Sequence, residues 1–217
     1  MTALILVAAG SGTRLAAGVP KALVEVGGRS LVEHCLDTAD SVARITETVV
    51  VVPAAEVAAV AAGLTGRAVV VVAGGATRDE SVRSGLAVVG DEDQVLIHDA
   101  ARPFAPAEVF ERVIDALAES EAVVPAVPVA DTIKRVREGV VVETPPRDEL
   151  VAVQTPQGFR VGTLRAAHTA DDPDVTDDAM RVERSGIPVR VVDGSPQGFK
   201  ITTPFDLAVA VAMLEER

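Results

Sequence analysis

Small and basic residues occur together in one segment near the start of the sequence, in a pattern that could bind a phosphate group. The segment AAGSGTRL, residues 8–15, follows an apolar run, and Lys21 comes six residues later. Glycine and serine let the backbone approach a ligand closely, and successive N–H groups in such a loop can bind an anion. Arg14 and Lys21 add positive charge to the same loop. The pattern predicts an anion-binding loop, with a flexible turn at the start of a helix as the alternative.

This loop differs from two common phosphate-binding sequences. After Gly10 and Gly12, the third glycine position of the dinucleotide-binding fingerprint is occupied by Leu15. The Gly-Lys-Ser or Gly-Lys-Thr ending of a Walker loop is also missing. The sequence therefore disfavours a nicotinamide-dependent dehydrogenase and a P-loop nucleotidase.

A second group of polar residues lies in IHDAARPF, residues 97–104. Asp99 is expected at the carboxyl end of a buried strand, where a carboxylate can hold Mg²⁺ together with nucleotide phosphates. His98 alternates with Asp99 along the strand and is predicted to be a hydrogen-bonded core residue. Arg102 could either contact an anion or brace Asp99, and the sequence leaves both interpretations open.

Apolar segments alternate with helical segments along the first half of the chain. Strands are predicted near 3–9, 46–52, 68–73, 94–98 and 121–129, and helices near 30–40, 54–62, 77–90 and 106–120. Capping boxes, Ser30 with Glu33 and Thr77 with Glu80, mark two of the helix starts. This alternation predicts an α/β fold with a doubly wound, mostly parallel sheet, and ligands at the carboxyl ends of its strands.

Residues 131–146 change character, because charged and apolar residues alternate there around Glu138-Gly139. This pattern predicts a two-stranded ribbon with a tight turn. Since an isolated ribbon is marginally stable in water, we expect a protruding β-arm, at about 131–150, that packs on a second copy of the chain. Residues 1–217 are otherwise expected to form a single domain, with a strand near 150–154, helices near 161–170 and 177–185, a strand near 188–192 and a final helix capped by Thr203.

Composition excludes several classes of function. Of the 217 residues, 48% are hydrophobic, which indicates a globular protein, and only 2% are aromatic, which leaves few rings on which single-stranded nucleic acid could stack. The net charge of −12 opposes binding to nucleic acid or to an acidic membrane surface. Cys35 is the only cysteine, and no signal peptide or membrane-spanning run is apparent, so we expect a cytoplasmic location.

Seven segments together resemble the 2-C-methyl-D-erythritol 4-phosphate cytidylyltransferase family over essentially the whole chain. They are AAGSGTRL, GGATRDES (74–81), IHDAARPF, VADTIK (129–134), TPQGF (155–159), TDDA (176–179) and FKIT (199–202). The resemblance implies a homodimer that transfers CMP from CTP to methylerythritol phosphate with Mg²⁺, in the non-mevalonate isoprenoid pathway. Because a phosphate monoester is already anionic, this reaction needs charge stabilisation rather than a general base.

The resemblance also implies roles for individual residues. Arg14 and Lys21 would stabilise the transition state on the triphosphate, Asp99 would bind Mg²⁺, and Lys200 and the partner subunit's Arg147 would position the acceptor phosphate. Implied nucleotide contacts are Ala8, Ala9, Gly10, Gly12, Gly75, Ala76, Ser81 and Ala100. Implied acceptor contacts are Arg102, Thr132, Arg147, Thr155, Thr176 and Lys200.

Some residues of these segments have a plainer alternative. Thr176 could be a helix N-cap, Arg147 could form an exposed ion pair with Asp148, and Lys134 could lie on a solvated face of the arm. Ala76 stands where the family often carries an acidic or polar residue, which puts side-chain contact with the base there in doubt. For the chain as a whole, the alternatives are a ribitol 5-phosphate cytidylyltransferase and a nucleotide-binding regulator without catalysis.

Overall fold

A computed structural model describes residues 1–10, 21–169 and 175–215, and for Lys21 the backbone alone. The strands are β1 (Thr2–Val7), β2 (Glu25–Val26), β3 (Arg29–Ser30), β4 (Ile45–Val52), β5 (Val70–Ala73), β6 (Gln94–Asp99), β7 (Ala122–Pro128), β8 (Arg135–Arg137), β9 (Val140–Glu143), β10 (Val151–Val153), β11 (Gln157–Arg160) and β12 (Val189–Asp193). The helices are α1 (Leu31–Ser41), α2 (Val57–Gly63), α3 (Arg78–Leu86), α4 (Ala107–Ala116), α5 (Val161–Ala167), α6 (Asp178–Arg184) and α7 (Pro204–Glu215). No helix in these ranges is long and apolar enough to cross a membrane.

The centre of the molecule is an eight-stranded sheet in the order β10-β7-β11-β6-β1-β4-β5, with β12 also paired to β7. Strands β6, β1, β4 and β5 are parallel, and β12 is parallel to β7. Strands β10 and β11 are antiparallel to their neighbours. The prediction of a doubly wound, mostly parallel sheet is confirmed.

Helices cover both faces of this sheet, as the alternation of side chains along β1 shows. Ala3 and Ile5 pack with residues of α3, α5 and α6. Leu4 and Leu6 point to the opposite face, where α1, α2 and α4 pack. Cys35 of α1 lies in this second layer, where burial raises the pKa of its thiol. The buried core is aliphatic apart from a few phenylalanines, in keeping with the composition.

Strand β11 was not predicted, although it lies between β6 and β7 in the middle of the sheet. It is only four residues long and begins with polar Gln157, so it lacks the apolar pattern of a buried strand. Tertiary hydrogen bonds make its burial possible: the Gln157 amide donates to Asp177 Oδ2 and accepts from the Ala179 N–H. The helices predicted to end at 90 and 120 end earlier, at Leu86 and Ala116, and are followed by hydrogen-bonded turns.

The predicted ribbon is present as β8 and β9, which pair in antiparallel fashion. Glu138 and Gly139 join them with φ values of 51° and 78°, the left-handed pair that a tight type I′ turn requires. The valines of the ribbon are at least half exposed: Val136, Val140, Val141 and Val142. Packing of this arm on a second chain stays a prediction.

Gly158 allows β11 to approach α4 closely. A Cβ atom there would lie 2.5 Å from Val113 Cγ1 and 2.9 Å from Leu117 Cδ1. We expect Gly158→Ala to lower the free energy of unfolding by about 1–3 kcal/mol, as overpacked cores do. Urea unfolding at constant pH measures the change.

Gly162 provides the matched control, since it lies in neighbouring α5 with open space around its Cβ direction. Gly162→Ala should leave stability unchanged or raise it by up to about 1 kcal/mol, because alanine favours helix. Equal effects of the two substitutions would show that β11 does not depend on this close approach.

Candidate active site

The segments that follow β1, β5 and β6 meet at the carboxyl edge of the sheet. The Ala8 N–H donates to Val51 O at 2.7 Å, and the Gly74 N–H donates to Val52 O at 2.8 Å. The Ala100 N–H donates to Val7 O at 3.0 Å. These bonds continue the parallel pairing beyond the strand ends, so the predicted nucleotide-binding segments are brought side by side.

Small side chains let two of these segments approach each other. A Cβ atom on Gly74 would lie 2.6 Å from Ala9 Cβ and 2.7 Å from Ser81 Oγ, so any larger residue would force these segments apart. Ser81 is buried, and its hydroxyl donates to Thr77 O at 2.9 Å. The Ser81 oxygen can therefore act toward a ligand as an acceptor while this bond is kept.

Ala76 is one of the residues implied to contact the nucleotide, and its backbone N–H already has a partner in this structure. It donates to Glu80 Oε2 at 2.6 Å, while Thr77 Oγ1 accepts from the Glu80 N–H at 3.1 Å. Thr77 thus caps α3 as predicted, but the Glu80 carboxylate binds the residue before the cap. A base that used the Ala76 N–H would have to take the place of this carboxylate.

Asp99 ends β6 with its carboxylate held between two cations. Its Oδ1 accepts from Arg78 Nε at 3.2 Å, and its Oδ2 accepts from Lys200 Nζ at 2.6 Å. Burial opposes ionisation of Asp99, but the charges of Arg78 and Lys200 outweigh it and hold the pKa of the carboxyl well below its usual range. This contact joins two residues that are 101 positions apart in the sequence.

Arg78 links this pair to helix α6, a connection that was not predicted. Its Nη1 donates to Asp178 Oδ2 at 2.6 Å. The other oxygen of Asp178 lies 3.1 Å from His168 Nε2, and the Asp178 side chain is 2% exposed. Burial opposes ionisation of Asp178 as well, but hydrogen bonding to His168 and the charge of Arg78 lower its pKa. The only indication of this ion pair in the sequence was a charged residue in the first turn of each helix, Arg78 in GGATRDES and Asp178 in TDDA.

Thr155 and His98 fix the backbone of Asp99. The Asp99 N–H donates to Thr155 Oγ1 at 3.1 Å, and Thr155 Oγ1 lies 3.0 Å from His98 Nδ1. His98 Nε2 lies 3.2 Å from Arg102 O, which can only accept, so Nε2 carries the proton and the Thr155 hydroxyl donates to Nδ1. Burial lowers the pKa of His98 to about 4, consistent with this neutral form. The prediction that His98 is a hydrogen-bonded core residue is confirmed.

Arg102 braces the loop before Lys200. Its Nη1 donates to Gly198 O at 2.7 Å, and its Nη2 donates to Val153 O at 3.4 Å. The Gln154 amide holds the same loop by bonding both Ser195 O, at 2.9 Å, and Ser195 N, at 3.0 Å. Of the two interpretations left open by the sequence, bracing agrees better with the structure. Arg102 donates to backbone carbonyls, however, rather than to Asp99 itself.

The predicted phosphate-binding loop lies mostly outside the described residues. Gly12 and Arg14 fall there, and Gly10 is the last residue before it; Gly10 is exposed, and no contact within 4 Å is found for a Cβ atom built on it among the described residues. Lys21 begins a short 3₁₀ helix, Lys21–Leu23. The roles assigned to this loop stay predictions.

The residues predicted to contact the acceptor from the arm are exposed. Thr132 is exposed, and Arg147 donates from Nη1 to Ala130 O at 3.0 Å, which ties it to the base of the arm instead of to Asp148. Lys134 is exposed and donates to Thr144 Oγ1 at 2.8 Å across the arm. Among the contacts of the described residues, none joins Arg147 to the Asp99 cluster.

Thr176 is exposed just before α6, beside the buried network. The alternative that it caps this helix is wrong, because Asp177 is the N-cap and its Oδ1 accepts from the Met180 N–H at 2.9 Å. Thr176 Oγ1 lies 3.6 Å from Met180 Sδ. Its hydroxyl therefore remains at the surface, two residues from Asp178.

Comparisons with known proteins decide the family. The model of the 2-C-methyl-D-erythritol 4-phosphate cytidylyltransferase family matches residues 2–216. The protein of that name from Saccharopolyspora erythraea is 51% identical over 95% of this chain and 96% of its own length. The one from Rhodococcus jostii is 48% identical over 96% of this chain and 93% of its own length.

The chain belongs to the 2-C-methyl-D-erythritol 4-phosphate cytidylyltransferase family.

Solved structures agree with this assignment. The structure of 4-diphosphocytidyl-2C-methyl-D-erythritol synthase from Anaerococcus prevotii is similar with a TM-score of 0.90 and 33% identity, covering 99% of this chain and 96% of that one. A 2-C-methyl-D-erythritol 4-phosphate cytidylyltransferase from Thermus thermophilus is similar with a TM-score of 0.81 and 35% identity, covering 99% and 100%. The chain is thus a cytidylyltransferase, and the resemblance read from its motifs is confirmed.

The donor set of this cytidylyltransferase suits a metal that is shared with substrate. Among the described residues, no group of three or more His, Cys, Asp or Glu side chains could enclose a metal ion. Asp99 offers one hard carboxylate, and each of its oxygens accepts one of the bonds described above, which leaves further lone pairs for coordination. Mg²⁺ is commonly held by one or two carboxylates together with phosphates, so the residues present fit this ion.

A pair of substitutions at Thr155 tests the chain of hydrogen bonds behind Asp99 in the cytidylyltransferase. Thr155→Val keeps the shape but leaves the Asp99 N–H and His98 Nδ1 without partners, so we expect the free energy of unfolding to fall by about 1–3 kcal/mol. Thr155→Ser keeps the hydroxyl and loses one methyl group, at about 1 kcal/mol or less. Urea unfolding of both variants compares them, and equal losses would contradict the assigned hydrogen bonds.

Proposed function

We propose that the chain transfers CMP from CTP to 2-C-methyl-D-erythritol 4-phosphate, and releases pyrophosphate, at the carboxyl edge of the sheet around Asp99. One observation carries the proposal: Asp99 Oδ2, at the end of a central strand, lies 2.6 Å from Lys200 Nζ. Both residues lie in segments that resemble motifs of the family to which the chain belongs. The segments predicted to bind the nucleotide lie at the same edge of the sheet.

The reaction requires stabilisation of the negative charge on the phosphates and does not require a general base. An oxygen of the acceptor phosphate attacks the α-phosphorus of CTP and forms a new P–O bond. The bond between the α-phosphorus and the bridging oxygen breaks, and pyrophosphate leaves with the electron pair. The acceptor phosphate is an anion at neutral pH, so no proton has to be removed from it. His98, the histidine nearest Asp99 in sequence, is buried with both ring nitrogens hydrogen-bonded and does not serve as a base.

Cations contributed by separate segments would offset the repulsion between the two substrates. Lys200 is the more accessible partner of Asp99, with 40% of its side chain exposed, and its ammonium group can turn toward a phosphate. Arg14 and Lys21 would act on the triphosphate from the first loop. Asp99 would hold Mg²⁺ jointly with the phosphates, and this ion would supply further positive charge to the α- and leaving phosphates.

The proposed active form is a homodimer joined through the arm formed by β8 and β9. Exposed valines on both strands of the arm give it an apolar surface that a second chain could bury. Thr132 and Arg147 lie at the arm, so in a dimer they could complete the acceptor site of the partner subunit. The reducing cytoplasm, where CTP is available, suits an enzyme whose only cysteine is a free thiol.

An assay of acceptor specificity tests the proposed reaction. Purified protein is incubated with CTP, Mg²⁺ and either methylerythritol phosphate or ribitol 5-phosphate, and pyrophosphate release is measured. We expect turnover with methylerythritol phosphate. Turnover confined to ribitol 5-phosphate would overturn the assigned acceptor, and binding of CTP without turnover of either acceptor would point to a regulator.

Lys200→Met should lower kcat by about 10²-fold or more.

Lys134→Met is the matched control, because Lys134 is an exposed lysine whose described bond stays within the arm. This variant should keep kcat within about twofold of the wild type. An equal loss in both variants would remove the special role assigned to Lys200.

Mixing two inactive variants tests whether a site is shared between subunits. Arg147→Met and Lys200→Met should each be nearly inactive alone, since each removes a cation from every site. If Arg147 acts in the partner's site, a hybrid dimer contains one site with both defects and one intact site. Mixing and re-equilibrating equal amounts should then restore about a quarter of wild-type activity.

The absence of recovery after confirmed exchange of subunits would place Arg147 in the site of its own chain. Native mass spectrometry follows the exchange, because the mixed dimer has a mass between those of the two homodimers. Size-exclusion chromatography with light scattering gives the oligomeric state, and a mass of one chain for the active protein would contradict the dimer.

A further inference from the structure

Arg78 is the first residue of α3, directly after the loop predicted to bind cytosine, and its guanidinium joins two acidic residues from distant parts of the chain. Its Nε donates to Asp99 Oδ1 at 3.2 Å, and its Nη1 donates to Asp178 Oδ2 at 2.6 Å. Both carboxylates are nearly buried, with side chains 11% and 2% exposed. The charges of Asp178 and Asp99 outweigh the effect of burial and raise the pKa of Arg78 further, so it stays a cation.

We propose that Arg78 is a positioning residue that couples the nucleotide side of the active site to its acceptor side. Resting on the proposed function, the inference assigns to Arg78 the orientation of Asp99 and the placement of the start of α6, where Thr176 would contact the acceptor. Arg78 acts through these groups and does not itself contact a reacting atom.

The two cations on Asp99 differ in how firmly they are held. Lys200 Nζ contacts only Asp99 among the hydrogen bonds and ion pairs of the described residues, and its side chain is 40% exposed. Arg78 is anchored a second time by Asp178 and is 29% exposed. When Lys200 turns to a phosphate, Arg78 therefore remains on Asp99 and holds its Oδ1 in place.

Helix α6 is fixed at its first turn from two directions. Asp178 is bound by Arg78 and lies 3.1 Å from His168 Nε2. Gln157 of β11 donates to Asp177 Oδ2 at 2.7 Å and accepts from the Ala179 N–H at 3.2 Å. Thr176 directly precedes these residues, so a shift of Asp178 would move the predicted acceptor contact as well.

The geometry requires arginine rather than any cation. Nε and Nη1 are separate donors in one rigid plane, and each points to a different carboxylate. A lysine at this position would bring a similar charge, but its single nitrogen could not keep the two bonds in the same directions. Arg78→Lys therefore removes the coupling while it preserves the charge.

The experiment compares Arg78→Lys, Asp178→Asn and the double variant with the wild type, measuring kcat, the KM of each substrate and the Tm. We expect Arg78→Lys to lower kcat about tenfold or more and to raise the KM of methylerythritol phosphate, because small misplacements of reacting groups are costly. The KM of CTP should change less, since Arg78 is assigned no contact with the nucleotide. The double variant should lose less in kcat and Tm than the sum of the two single variants, because both substitutions break the shared bond between Arg78 and Asp178.

Arg44→Lys is the control, since Arg44 is an exposed arginine that also pairs with two carboxylates, on Glu111 and Asp115. It should leave kcat and both KM values within about twofold of the wild type. A purely structural role for Arg78 would lower the Tm without changing kcat or the KM of the acceptor. That result, or additive losses in the double variant, would overturn the proposal.

The wild-type assay keeps this test separate from the proposed reaction. If the wild type does not turn over methylerythritol phosphate, the proposed function fails, and non-additive Tm values alone would then still establish the link between Arg78 and Asp178 but not its catalytic use. If the wild type is active and Arg78→Lys matches it, only the role of Arg78 is overturned.

Discussion

Placing the Asp99 carboxylate at the end of a central strand, almost out of contact with water, is costly unless cations and hydrogen bonds compensate for lost hydration. Arg78 and Lys200 compensate for the charge, and Thr155 binds the backbone N–H. These partners come from the first turn of α3, from the segment before β11 and from the loop before α7. Much of the path of the chain around the site can be understood as bringing these three segments to one carboxylate.

The need for cations beside the Asp99 carboxylate also explains how a chain with a net charge of −12 could act on anionic substrates. Arg78, Lys200, Asp99 and Asp178 sum to zero formal charge and pair with one another in this structure. A phosphate that draws Lys200 away leaves a local negative charge, which a divalent cation is suited to balance. The acidic excess elsewhere on the chain affects polyanions at long range, while short-range pairing governs the site.

The sequence was sufficient for the parts of the fold that depend on local pattern. Apolar runs located β1, β4 and β6, and Ser30 forms the predicted capping box with Glu33. Strand β11 could not be predicted, because its polar first residue is stabilised by Asp177 and Ala179, whose positions depend on the completed fold. The same reason applies to Arg78. Its position in the first turn of a helix was visible, but its partners are 21 and 100 residues away, and only tertiary structure brings them within hydrogen-bonding distance.

Two of the predicted acceptor contacts, Thr132 and Arg147, differ from the predicted nucleotide contacts in whether sheet hydrogen bonds hold their segments. Sequence patterns do not reveal this difference. Segments beside β1, β5 and β6 are fixed by sheet hydrogen bonds, whereas Thr132 and Arg147 are exposed at the arm. Lys200 combines a fixed backbone with an exposed side chain. Arg102 and Gln154 hold the backbone of its loop. The loop also packs closely on Gln154, since a Cβ atom on Gly194 would lie 2.4 Å from Gln154 Oε1. Its side chain is nevertheless 40% exposed. A fixed backbone with a partly exposed ammonium group would allow Lys200 to exchange a carboxylate for a phosphate without any movement of the sheet, so the conformational cost of this exchange would fall on the Lys200 side chain.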